Sequence, residues 1–348
     1  MSVTVQPSHD WAAAPSLAPA ASRNAAIDSM RGIAILMVIG IHSLQQPLDT
    51  PWAVAVDAAL RPCVPVFLFA SGYLTALSGR VPLTRRITAA LIPYAIAFAA
   101  AYLYMALHNP AMDHRATTAL ARFVLAYVFV YYYVFVYIGC TIVMWLLLAI
   151  TAHASEPNRR LGLLLALAIA AGLIAGSYVD PALARLGFSE SLIEEVRLRD
   201  IPFWFSFMAA GALLAMAGTA MQADLRRLLP VATLMAYAVY ATVRIGGVGD
   251  AAAYDSTAFF AYATLLCCWL VLAQPRSEIL AAIGSGSYFI YLWHIFIVMA
   301  LRDHAPLREF GPLVNAVATS VITGLVSIAA LLAVRQIAPA RLARWLGA

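Results

Sequence analysis

The chain has no lysine. All 22 of its basic residues are arginine, against 17 acidic residues, which leaves a net charge of +5. An all-arginine basic set reflects codon usage more than chemistry. Charge of either sign is scarce: Asp, Glu, Lys and Arg make up 11% of the 348 residues, where a soluble domain carries about 25%. Cysteine is scarce too. Cys63, Cys140, Cys267 and Cys268 lie in or beside apolar stretches, and no CxxC or Cys/His spacing points to a metal or redox centre. They read as small buried hydrophobes, and a disulfide-stapled secreted module is excluded. No basic segment followed by an apolar one opens the chain. Residues 1–22, rich in Ala, Ser and Pro, therefore read as a flexible cytoplasmic tail, and 23–348 as a single membrane domain.

What is present in quantity is apolar. AVILMFWYC account for 63% of the chain, and the mean hydropathy is +0.84. No soluble fold of this size hides so much apolar surface, which excludes a soluble enzyme and a nucleic-acid-binding domain. A crossing of the bilayer takes about 20 residues, so the chain has room for about ten. The expected fold class is an all-α polytopic bundle. Its spans fall at 27–46, 62–79, 87–107, 132–151, 161–178, 201–221, 230–247, 257–274, 282–301 and 312–336. The apolar stretch 119–130 stands too close to the next span to cross by itself, and either lies in the interface or re-enters.

Arginine placement gives the direction. With both termini in the cytoplasm, 13 of the 22 arginines are inside, including the pairs Arg85-Arg86, Arg159-Arg160 and Arg226-Arg227. Basic residues in short cytoplasmic loops are the signature of that side. The loops at 80–86, 154–160 and 222–229 are then cytoplasmic, with 179–200 and 302–311 outside.

Ionisable residues inside spans are costly and mark function by default. Asp28, Arg31 and His42 all lie on the first span, and at about 100° per residue they share one face, Asp28 and Arg31 being close enough to pair. Arg31 and His42 are roughly 16 Å apart along the axis and cannot touch. On the residues alone two readings stay open: Asp28-Arg31 as an interfacial anchor or a binding pair, and His42 as an interhelical bond or a base. His294 lies three residues after Tyr291, so a Tyr–His bond fixing a tautomer and a substrate-lining role both fit. Ser71 and Gly72 are small enough for close helix approach. Arg61 reads as interfacial and Arg244 as lining a polar cavity. The aromatic run YVFVYYYVFVY (127–137) reads as an interfacial belt rather than a sugar platform. GSGS at 284–287 is no phosphate loop, since it lacks the strand and the lysine.

RNAAIDSMRGIAILMVIGIHS (23–43) resembles the first helix of the acyltransferase-3 family of membrane acyltransferases, marked by an arginine, ten residues and a histidine: here Arg31 and His42. PVFLFASGYLTAL (65–77) resembles the second helix of that family, followed by a basic loop and Pro-Tyr in TRRITAALIPY (84–94). SYFIYLWHIFIV (287–298) resembles its late Tyr-x-x-His helix. The chain departs from the pattern in having Arg85 and Arg86 adjacent, where the family often has Arg-x-x-Arg. It also has tyrosines where a tryptophan motif is usual, and no additional periplasmic domain.

The resemblance implies O-acylation, usually acetylation, of an exopolysaccharide, O-antigen or other envelope glycan in the bacterial inner membrane. Cytoplasmic acyl-CoA is the donor, as a co-substrate; no cofactor or metal is implied. Arg31, Arg85 and Arg86 would then hold the CoA phosphates through paired donors. His42 would deprotonate a sugar hydroxyl or carry the acyl group itself, with Asp28, Ser71, Tyr291 and His294 in support. Polysaccharide synthesis or export machinery is the implied protein partner. Two other classes compete: a transporter of a polysaccharide or small solute, and a non-catalytic partner of a polysaccharide synthase.

Overall fold

The computed structural model describes residues 2–4, 24–109, 112–113, 115–128, 130–249 and 253–348. Asn24 opens α1 (Ala25–Ser43), its side-chain oxygen accepting from the backbone N–H of Ala26 at 3.2 Å and Ile27 at 3.3 Å. Such a cap satisfies amide donors that the first turn leaves free. Next come α2 (Pro51–Leu60) and α3 (Cys63–Ser78), which Gly79 ends in the left-handed conformation, φ 62°. A ribbon follows: β1 (Ser2–Thr4) pairs antiparallel with β2 (Arg80–Pro82). The rest of the stretch read as a tail lies outside the described residues.

The helices continue as α4 (Leu83–His108), α5 (Ala116–Val124), α6 (Tyr132–Thr151), α7 (Pro157–Arg185) and α8 (Glu190–Leu198). They end with α9 (Ile201–Met216), α10 (Thr219–Ile245), α11 (Thr257–Ala273), α12 (Glu278–Ser285), α13 (Ser287–His304), α14 (Pro312–Ile337) and α15 (Ala340–Leu346). The described residues are helical apart from the ribbon and the connections. Among them eight helices or helix pairs are long and apolar enough to cross a membrane, α12 and α13, bent by 77°, make a ninth if the pair is one span, and α11 is apolar but shorter.

Each of the ten expected spans falls on helix, but two expected loops do not exist as loops. The 222–229 stretch lies in the first turns of α10, which only two residues separate from the end of α9. The 179–200 stretch is the end of α7, a short connection at 186–189, and α8 with the turn after it. Both are rich in charge, and charge lowers hydropathy without breaking a helix. Of the 119–130 stretch, residues 119–124 belong to the short α5.

Two glycine contacts set the packing. A Cβ on Gly72 of α3 would stand 1.9 Å from the carbonyl oxygen of Met208 on α9, and one on Gly211 of α9 would stand 2.1 Å from that of Phe69. Likewise a Cβ on Gly284 of α12 would meet the Asp28 carbonyl of α1 at 1.8 Å, and one on Gly32 that of Leu280 at 2.2 Å. Between membrane helices, close van der Waals approach of this kind replaces the hydrophobic drive available in water. Gly284, in the GSGS run, is therefore a packing residue.

These contacts are backbone against backbone and cannot give way by a side-chain rotation. Gly72→Val and Gly284→Val should each cost at least the roughly 1–3 kcal/mol of an overpacked core, read as a lower thermal midpoint of detergent-solubilised protein. Gly324→Ala should leave that midpoint within error, since a Cβ there meets nothing within 4 Å.

Candidate active site

Two cavities meet inside the bundle. The first, about 440 Å³, is lined by Arg31 of α1, Ser71 of α3, Arg85 and Arg86 of α4, Tyr133 and Tyr137 of α6, and Tyr288 and Tyr291 of α13. Arg31 and Asp28 form an ion pair at 3.6 Å, and both also line a smaller adjoining pocket of about 260 Å³. Arg86 donates from Nη1 to the Thr75 hydroxyl at 2.8 Å, while Arg85 is exposed. The three arginines named from the sequence thus share one chamber. It has donors in excess of acceptors, the chemistry that suits phosphate.

The second cavity, about 400 Å³, is lined by His42, Arg61, Arg197, Arg244, Glu194, Tyr132 and Tyr254, and again by Tyr133 and Tyr291. Those two tyrosines are common to both chambers. Their rings stand 5.4 Å apart, edge to face, and the Tyr291 hydroxyl is pinned by donating to the Val130 carbonyl at 2.5 Å. Arg31 and His42, too far apart on their helix to touch, face different chambers on either side of this pair.

A buried ionic frame supports the histidine chamber. Asp57, 2% exposed, accepts from Arg61 Nε at 2.6 Å and from Arg244 through the same oxygen. The Arg61 guanidinium lies 4.6 Å over the ring of Tyr254. Arg197 is bonded to Asp180 and stands 3.8 Å from both Glu190 and Asp255. Burial, with the Asp180 carboxylate nearby, raises Asp255 from the usual carboxylate range to about 7 despite Arg197. Arg61 is therefore paired within the bundle, and Arg244 does line a polar cavity. Arg197 and Asp57 were not singled out in the sequence. Asp57 to Arg61 has a readable i, i+4 spacing and Arg244 stands out as a charge within a span, but Arg197 lies in a charge-rich stretch of a distant element and leaves no local signal.

His294 lines neither chamber. It is fully buried, with Nδ1 2.9 Å from the Tyr291 carbonyl and 3.1 Å from that of Ile290. Its Nε2 has no hydrogen-bond partner among the described residues, and the His42 and His294 rings are 5.5 Å apart. The expected Tyr–His bond exists through the backbone of Tyr291 and not through its hydroxyl, because that hydroxyl is committed to Val130. The aromatic belt reading of 127–137 is corrected as well. Tyr131 is buried and donates to the Leu292 carbonyl at 2.8 Å, and Tyr132, Tyr133 and Tyr137 line the chambers. Among the described residues of the run only Tyr127 is exposed, under the Arg199 guanidinium at 5.5 Å. A run of tyrosines has no periodicity that separates an inward face from a lipid face, so composition alone misplaced it. Among the described residues no group of three or more His, Cys, Asp or Glu side chains could hold a metal ion.

A family model described as an acyltransferase domain, that of the acyltransferase-3 family, matches residues 24–333, nearly the whole chain. No curated protein and no solved structure matches it.

Removing Asp57 leaves two guanidinium groups without their shared carboxylate. Asp57→Ala should lower stability by about 3–5 kcal/mol, as breaking a buried ion pair does, and a thermal melt in detergent measures it. Asp255 works in the opposite sense. Its folded pKa of about 7 lies above the ordinary value of 3.8, so its contribution is full below about 4, falls as pH rises towards 7, and stays lost above. Asp255→Asn should flatten the decline of the melting midpoint over that window.

Proposed function

The chain belongs to the acyltransferase-3 family and is an integral membrane acyltransferase; on that premise we propose that it moves an acetyl group from acyl-CoA to a hydroxyl of a cell-envelope or exported glycan. One observation carries this reading. Arg31, Arg85 and Arg86 line one chamber, His42 lines another, and Tyr133 and Tyr291 alone among these functional side chains belong to both. Phosphates of the donor suit the arginine chamber, where guanidinium forks make paired bonds. The thin pantetheine arm passes between the tyrosines and presents its thioester to the histidine chamber. There the acceptor hydroxyl approaches over Tyr132 and Tyr254. His42 takes its proton, the oxygen attacks the thioester carbonyl, the C–S bond breaks, and the departing thiolate receives a proton. A site walled by the bundle keeps bulk water from the thioester.

The arginine distribution supports an orientation with both termini in the cytoplasm. That orientation puts the arginine chamber on the side where acyl-CoA is made, in a bacterial inner membrane. Machinery for synthesis or export of the glycan is the natural partner.

Thiol release from acetyl-CoA by the purified protein, together with acetyl incorporation into glycan in membrane vesicles, tests the reading. His42→Ala should lower transfer by about 10²–10⁴-fold while the protein remains inserted; wild-type turnover in that variant would remove His42 from the chemistry. Arg31→Lys keeps the charge and loses the fork. It should raise KM for acetyl-CoA and leave acceptor KM unchanged, with Arg85→Ala and Arg86→Ala behaving alike. Reporter fusions should place residues 80–86 in the cytoplasm and 302–311 outside, and the reverse result would reverse the direction of transfer.

A further inference from the structure

The two histidines are related in a way that the chambers alone do not explain. His294 Nδ1 approaches two main-chain carbonyl oxygens, at 2.9 Å and 3.1 Å. Carbonyl oxygens only accept, so Nδ1 carries the proton and, in the neutral ring, the acceptor lone pair sits on Nε2. That atom is buried and without a partner among the described residues. Helix α13 therefore holds a histidine whose tautomer is fixed from one side and whose acceptor is left open on the other. The His42 ring, carried by α1, stands 5.5 Å away centroid to centroid, its plane inclined by 39°. As the rings stand no hydrogen bond joins them, but at that separation a rotation of the His42 ring that turns one of its nitrogens towards Nε2 brings the two within one hydrogen bond. His42 lines the histidine chamber and His294 does not, so His294 reaches the reaction only through His42.

We propose that His294 is a positioning residue for acyl transfer: its Nε2 accepts the N–H of one His42 ring nitrogen and leaves the lone pair of the other facing the acceptor hydroxyl. A neutral histidine has one donor and one acceptor, and which nitrogen is which follows from the bond that the other makes. With its N–H held by His294, His42 presents a base and not a donor to the chamber. When His42 removes the hydroxyl proton it becomes an imidazolium with two N–H groups. One remains on His294 Nε2 and the other points to the leaving sulfur. As the C–S bond breaks, that second proton passes to the thiolate, and the products are the acyl ester and free CoA with His42 neutral again. His294 keeps its Nδ1 proton throughout, because two carbonyls hold it. The inference rests on the acyl-transfer reading above.

The test compares replacements that keep or lose an acceptor at Nε2, in the full-length protein reconstituted in vesicles, with acetyl-CoA as donor and the native membrane glycan as acceptor. His294→Gln places a carbonyl oxygen near the Nε2 position and should retain turnover within a few-fold. His294→Leu fills the space with no acceptor and should lower kcat by about 10²-fold or more, the range assigned to a general base, with KM for acetyl-CoA unchanged. His294→Met serves the same comparison should the leucine variant fail to fold. The double variant His42→Ala/His294→Leu should be no slower than His42→Ala, since the second residue acts only through the first. Equal losses in the Gln and Leu variants, or a double variant slower than His42→Ala, would overturn the positioning role while leaving His42 as the base. Full activity in His42→Ala, or no transfer by the wild type, would overturn the acyl-transfer reading and the positioning role with it.

Discussion

The site depends on how closely α12 lies against α1. Gly32 and Gly284 bring the two backbones to a distance that no side chain fits between, and the 77° bend after α12 turns α13 into the bundle. From that bend α13 delivers Tyr288 and Tyr291 to the arginine chamber, Tyr291 to the histidine chamber, and His294 to the back of His42. The hydroxyls then lock the arrangement: Tyr288 donates to the Ala90 carbonyl at 2.6 Å, Tyr291 to Val130 and Tyr131 to Leu292. In a low-dielectric bundle each such hydroxyl needs an acceptor. Main-chain carbonyls of neighbouring elements supply them.

Charge is handled by the same rule. Asp57, Asp180 and Asp255 are buried, and each stands against an arginine. An isolated ion in such surroundings is prohibitive, whereas a pair lining a cavity is tolerated. The frame also gives the histidine chamber a polar wall, which Glu194 lines together with the arginines.

Much of the fold was legible because span length and hydropathy are properties of consecutive residues. The α6 boundaries, Tyr132–Thr151, fall where the apolar run predicts them. Helix replaces expected loop where charge is dense, at Arg226-Arg227 and over much of 179–200, since a helix can leave the apolar layer without ending. Within the site, the grouping of Arg31, Arg85 and Arg86 followed from a motif and a charge cluster, and the structure sets them around one cavity. Asp57, Arg197 and Arg244 could not be assembled, because residues brought together from separate helices share no spacing. The tyrosines of 131–137 had the right composition for either face of the membrane, and only the turn before α6 decides it.

The pair of rings shared by the two chambers has an electrical consequence. A bundle with polar hollows at successive depths is thinner, as an insulator, than its helices are long, and most of a transmembrane voltage would fall across what separates the hollows. Here that separation includes Tyr133 and Tyr291, stacked edge to face. If an acyl donor passes between the chambers as proposed, widening that gap for a bulkier acyl group would exchange breadth of donor against resistance to proton and ion leak. On that reading the size of the group accepted would be bounded by the energy coupling of the cell as well as by the shape of the site.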